Sequence, residues 1–237
     1  MNELFLKAIE IDRDRIPPNS YINGIEALSS LDRLEFRSPV TFFVGENGSG
    51  KSTLLEAIAV ACGFNPEGGS RANRFSTYDT HSDLFDALKL TKTFRRSYSG
   101  YFLRAESFYN VATMEAEANK LTGGRPQRLH ERSHGESFLY IAQSFGGMGL
   151  YILDEPEAAL SPQRQLTFLL EIERCVREGS QFIIVSHSPI LLAYPEADII
   201  SFDGELHRID YEETESYKLT SLFINDRARL LHNLFDE

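Results

Sequence analysis

The eight residues Gly45-Glu46-Asn47-Gly48-Ser49-Gly50-Lys51-Ser52 follow an apolar run, Val40–Val44, and lead into a helical pattern that continues to about Ala61. The pattern G-x-x-x-x-G-K-[ST] between a strand and a helix is what a phosphate-binding loop requires. Glycines 45, 48 and 50 let the backbone curl until successive N–H groups point inward, and the helix N-terminus adds its partial positive charge. Lys51 is then expected to reach the β- and γ-phosphates of ATP, Ser52 to ligate Mg²⁺ through its hydroxyl, and Thr53 to add a further contact.

Such a unit implies an α/β layer fold, and the rest of the chain agrees. Short apolar runs at 40–44, 150–153, 182–185 and 199–202 read as buried strands of a mainly parallel sheet, with helical spacing between them. One helix places Leu54, Leu55, Ile58 and Ala59 on its inner face. A second starts at Ser161 as N-cap with Pro162 in its first turn and stops at Gly179. Asp203-Gly204 reads as a hairpin turn. Residues from about Leu219 to Leu234 read as a closing helix with an apolar face. The stretch from Phe64 to about 148 has weaker periodicity and reads as an inserted helical subdomain within a single domain spanning 1–237.

The run Gly149-Leu150-Tyr151-Ile152-Leu153-Asp154-Glu155-Pro156 is a buried strand that ends in two acids, and paired charges at such an end are costly unless they have work to do. Asp154 is expected to hold the Mg²⁺ shell. Glu155, one residue on, points the other way and is placed to polarise the water that attacks the γ-phosphate.

In the order of these motifs the chain resembles the ATP-binding-cassette ATPase superfamily, which includes soluble members in DNA repair and chromosome organisation. The resemblance covers roughly residues 40–204. It implies that Arg132-Ser133-His134-Gly135-Glu136 occupies the signature position, so that Ser133, Gly135 and Glu136 contact the γ-phosphate held by an opposite subunit. His134 and Glu136 depart from the family's Leu-Ser-Gly-Gly-Gln. It implies further that Glu157-Ala158-Ala159-Leu160-Ser161 is the D-loop at a dimer interface, with Ser161 where aspartate is usual. His187, 33 residues after Asp154, takes the switch position against the γ-phosphate. At the Q-loop, which senses Mg²⁺, Glu106 stands in place of glutamine after Tyr101-Phe102-Leu103-Arg104-Ala105. Tyr21 is the one tyrosine before the phosphate loop, and it reads equally as an adenine stacker or as a core or loop residue.

Lys and Arg total 24 against 35 Asp and Glu, a net charge of −11, so no bulk field draws polyanions to this chain. Nucleic acid stays open as a partner only through local patches such as Arg95-Arg96 and the basic residues within 125–132. Cys62 and Cys175 lie in apolar helical patterns without ligand spacing and read as reduced core thiols of a cytoplasmic protein. No run approaches the ~20 apolar residues that span a bilayer, so a membrane would enter through a partner. About eighty residues separate Ser52 from Ser133, too few for a long coiled coil. The expected function is therefore Mg²⁺-dependent ATP hydrolysis by a homodimer that works on an effector protein in a regulatory, nucleic-acid-associated or defence-related complex. The alternatives are the ATP-binding subunit of a membrane transporter and a slow-turnover nucleotide switch.

Overall fold

The computed structural model describes residues 3–70, 84–104 and 134–236. Among these residues the strands are Leu6–Ile11 (β1), Arg33–Glu35 (β2), Val40–Val44 (β3), Gly69–Ser70 (β4), Leu88–Lys92 (β5), Ser99–Leu103 (β6), Gly149–Asp154 (β7), Gln181–Val185 (β8), Asp198–Ser201 (β9) and His207–Arg208 (β10). The helices are Glu26–Ser29 (α1), Lys51–Ala61 (α2), Leu84–Ala87 (α3), His134–Gln143 (α4), Pro162–Arg177 (α5), Pro189–Leu192 (α6), Glu215–Asn225 (α7) and Arg227–Phe235 (α8).

A seven-stranded sheet in the order β10-β9-β3-β8-β7-β6-β4 forms the centre. Its five middle strands are parallel, and the short β10 and β4 add antiparallel edges. Both faces are covered, which is why the middle strands are continuously apolar instead of alternating. Phe43, Ile152, Ile183 and Ile200 pack with α2 and the small sheet on one side. Phe42, Tyr151, Phe182 and Ile184 pack with α4 and α5 on the other, where Tyr151 stacks between Phe145 and Phe182.

The small antiparallel sheet, β2-β1-β5, has no counterpart in the sequence reading. Charged Lys7 and Glu10 interrupt the apolar run of β1, so its strand character depends on its partners. One side chain on β8 ties this sheet to the large one. Gln181, 1% exposed, accepts the N–H groups of Phe5 and Leu6 at 3.0 Å each and donates to Leu6 O at 2.9 Å. Gln181→Leu strands three buried backbone groups and is expected to cost about 3–6 kcal/mol. The thermal midpoint should drop by roughly 10 °C. Gln181→Glu keeps the acceptor and should lose less; a midpoint for Gln181→Leu within 2–3 °C of wild type, about the effect of 1 kcal/mol, would remove Gln181 as the tie.

Two expectations need correction. Within 64–148, β4 and β6 are strands of the large sheet and β5 belongs to the small one, so these parts are core elements and not inserted. Their weak periodicity comes from short edge pairing and from Ser99 and Gly100 at the start of β6. The C-terminal stretch is not one buried helix. It breaks at Asp226 (φ −138°, ψ 43°) into α7 and α8, neither of which has a buried residue, and Leu222, Phe223 and Leu234 are exposed. Helical spacing created an apolar stripe, but spacing does not say what covers it.

Cys62 and Cys175 are buried thiols that form no disulfide, and burial pushes Cys175 up to about 11. No helix among the described residues is long and apolar enough to cross a membrane.

Candidate functional site

The loops after β9, β3, β8 and β7, neighbours in the large sheet, all open at its carboxyl edge, where parallel α/β sheets carry their ligand sites. The sheet order therefore gathers residues that lie far apart in the chain.

The loop after β3 has the conformation expected from its glycines. Gly45 lies at φ +135°, and a Cβ there would meet Asp203 Oδ1 at 2.8 Å. Gly50 lies at φ +97°, and a Cβ there would meet Ile25 Cγ2 at 2.7 Å. Positive φ and close approach together leave only glycine at both positions. Lys51 is 4% exposed and donates from Nζ to Gly45 O at 2.6 Å and Glu46 O at 2.5 Å. Burial pulls its ammonium below the usual lysine range, opposed by the charges of Asp203, Glu155, Asp154 and Glu46.

At the end of β7, Asp154 Oδ1 accepts the Ser52 hydroxyl at 3.0 Å. Glu155 turns into the left-handed region at φ 45°, and its N–H is held by Val185 O at 3.0 Å. Such backbone is uncommon away from glycine and recurs where a site dictates direction. His187, after β8, brings Nε2 to 3.9 Å from Glu155 Oε1. Among the described residues no group of three or more His, Cys, Asp and Glu could enclose a metal ion. A hydroxyl beside a single carboxylate instead fits Mg²⁺, which keeps several waters and shares phosphate oxygens.

Thus Lys51, Ser52, Asp154, Glu155 and His187 converge on one edge. Glu46, Asn47, Gly48 and Ser49 line a cleft of about 1340 Å³ beside the loop, whose other walls include Ile25, His207, Ser216 and Lys218. Tyr21 is 59% exposed and is not among the cleft's lining residues. Gly135 lies in the first turn of α4, and Glu136 forms an ion pair with Arg164 of α5 at 3.2 Å. Ser133 and Glu106 lie outside the described residues, as does the basic stretch 125–132. Arg95 is structural: it donates to Glu3 O at 2.8 Å and lies over the Phe5 ring.

Sequence reasoning missed Asp203. Its Oδ1 accepts the Glu46 N–H at 2.8 Å and so anchors the start of the glycine-rich loop that follows β3. As half of an Asp-Gly pair it read only as a turn, and nothing local distinguishes a carboxylate that caps a hairpin from one aimed at the next strand's loop.

An AAA-domain family model matches residues 21–124, and a second, described as "AAA domain, putative AbiEii toxin, Type IV TA system", matches residues 119–193. Both matches are to AAA domains, so the chain is similar to the AAA/ABC-type P-loop ATPases over residues 21–193. Curated relatives include the hemin import ATP-binding protein HmuV of Rhodopseudomonas palustris, 27% identical over 72% of this chain and 74% of the relative. Structural maintenance of chromosomes protein 6 of Takifugu rubripes is 31% identical over 30% of this chain and 6% of that protein. Among solved structures, the SMC head domain from Thermotoga maritima aligns with 87% of this chain and 100% of its own at 16% identity, with a TM-score of 0.46.

Proposed function

We propose that this chain binds Mg²⁺-ATP at residues 45–53 and hydrolyses it as a homodimer, each nucleotide lying between one chain's phosphate loop and the other's segment 133–136. The observation that carries the reading is the Ser52–Asp154 contact at 3.0 Å with Glu155 and His187 alongside. Bound Mg²⁺ would be held by Ser52 and Asp154 and would neutralise charge on the phosphates. The chain's own groups then divide the work. Backbone amides of residues 48–53 cradle the phosphates, Lys51 neutralises the outer ones, Glu155 accepts a proton from the attacking water, and His187 orients the γ-phosphate side. Hydrolysis reopens the dimer and passes the motion to a regulatory or nucleic-acid-associated effector complex.

Phosphate release should exceed many molecules per chain, vanish with a chelator, and accompany doubling of the mass in light scattering with ATP. Release limited to one phosphate per chain, or a mass that stays monomeric, would overturn it. Similarity to the hemin import protein supports a second reading, an ATP-binding subunit that docks on a membrane permease. That reading expects the chain to sediment with membranes of its own cell, whereas the first expects it to stay in the supernatant.

A further inference from the structure

Glu155 and His187 come from different strands, and their separation is set by the loops that carry them. One side chain joins those loops. Glu157, in the short turn Pro156–Ala159 that follows β7, accepts the main-chain N–H of His187 on Oε1 at 2.6 Å. Its other oxygen, Oε2, is buried and has no hydrogen bond of full geometry, although the Ser186 hydroxyl lies close enough to help hold the carboxyl down. Burial pushes its carboxyl up, opposed chiefly by the His187 N–H. A short bond from a backbone amide to a carboxylate is the strong, charge-assisted kind.

We infer that Glu157 is a positioning residue for turnover: it fixes the backbone at His187 so that the mutual geometry of the imidazole and the Glu155 carboxylate is kept, and so couples the turn after the acidic strand to the switch loop. The neighbouring bonds agree with this division. Glu155 N–H is held by Val185 O at 3.0 Å, and the Ser188 hydroxyl donates to Gln165 Oε1 at 2.5 Å. The switch loop is thus fixed before and after residue 187, and among the described residues Glu157 is the one that reaches the His187 amide. The inference rests on the hydrolytic reading above.

Three variants test it. Glu157→Ala removes the acceptor, Glu157→Asp keeps the charge but withdraws it by one methylene, and Glu157→Gln keeps an acceptor oxygen at the same reach. Misplacement on the scale of 1 Å near reacting groups costs up to about 100-fold. Ala and Asp should therefore lower kcat roughly 10-fold or more while KM for ATP stays within about twofold, and Gln should recover most of the loss. Hydrogen exchange at the His187 amide should speed up in Ala and Asp but not in Gln. Unchanged kcat in both Ala and Asp, or a rise in KM with kcat intact, overturns the inference. Should the wild-type chain hydrolyse no ATP, the functional reading fails on its own, and unchanged exchange at His187 in Ala and Asp then overturns the positioning role separately. If Ala fails to fold, the contrast between Asp and Gln carries the same decision.

Discussion

Glu155→Gln is expected to lower kcat by roughly 10²- to 10⁴-fold while ATP binding changes by no more than a few-fold. Glutamine keeps the shape and an acceptor oxygen, so the turn at φ 45° and the Val185 bond to its N–H survive. What disappears is a group able to take a proton. The carboxylate is 42% exposed and close to His187, open enough to meet a water and near enough to be oriented. Because a nucleotide that is not cleaved leaves the closed state no exit, the variant should accumulate as an ATP-bound dimer in light scattering. A monomer at saturating ATP sinks the sandwich arrangement, and a fall in kcat below tenfold removes Glu155 as the base.

Lys51→Ala acts on binding. The ammonium is buried and satisfied by two carbonyls of its own loop, and it faces Asp154, Glu155 and Asp203. Phosphates offer it stronger partners. Loss of one or two charge-assisted hydrogen bonds, about 1.5–3 kcal/mol each, should weaken ATP roughly 100-fold or more. At a concentration 100 times the wild-type Kd, the nucleotide should add about 2.7 kcal/mol to wild-type stability and little to the variant. Calorimetry and thermal unfolding both read this, and ATP affinity within threefold of wild type would contradict it. The lowered lysine value has a sign of its own. The unfolded chain holds this proton more tightly, so stability without nucleotide rises with pH between the lowered and ordinary lysine values. ATP favours the charged form, so its stabilising effect should shrink over the same interval.

The legible elements were those whose signal is local. The loop glycines, β3, β7, β8, β9, α2 and the start of α5 all follow from composition and spacing within a dozen residues. The small sheet was not legible, because β1 and β2 become strands by pairing with each other and with β5 across long separations. Asp203 and Gln181 were illegible for the same reason: each acts on a backbone more than 150 residues away in sequence. The apolar stripe of α7 and α8 misled because amphipathicity records a preference for burial and not its fulfilment.

By itself, the sequence determined a glycine-rich G-x-x-x-x-G-K-S loop between strand and helix, an acidic strand end and a histidine after a third strand, because each depends on short-range backbone chemistry. Only the tertiary structure decided that these meet, since the order β9-β3-β8-β7 is a property of sheet pairing and not of any one segment. It also decided that Asp203 anchors the glycine-rich loop after β3 and that Glu157 reaches the His187 amide, because a hydrogen bond of under 3 Å between distant residues exists only once the strands beneath them are in register.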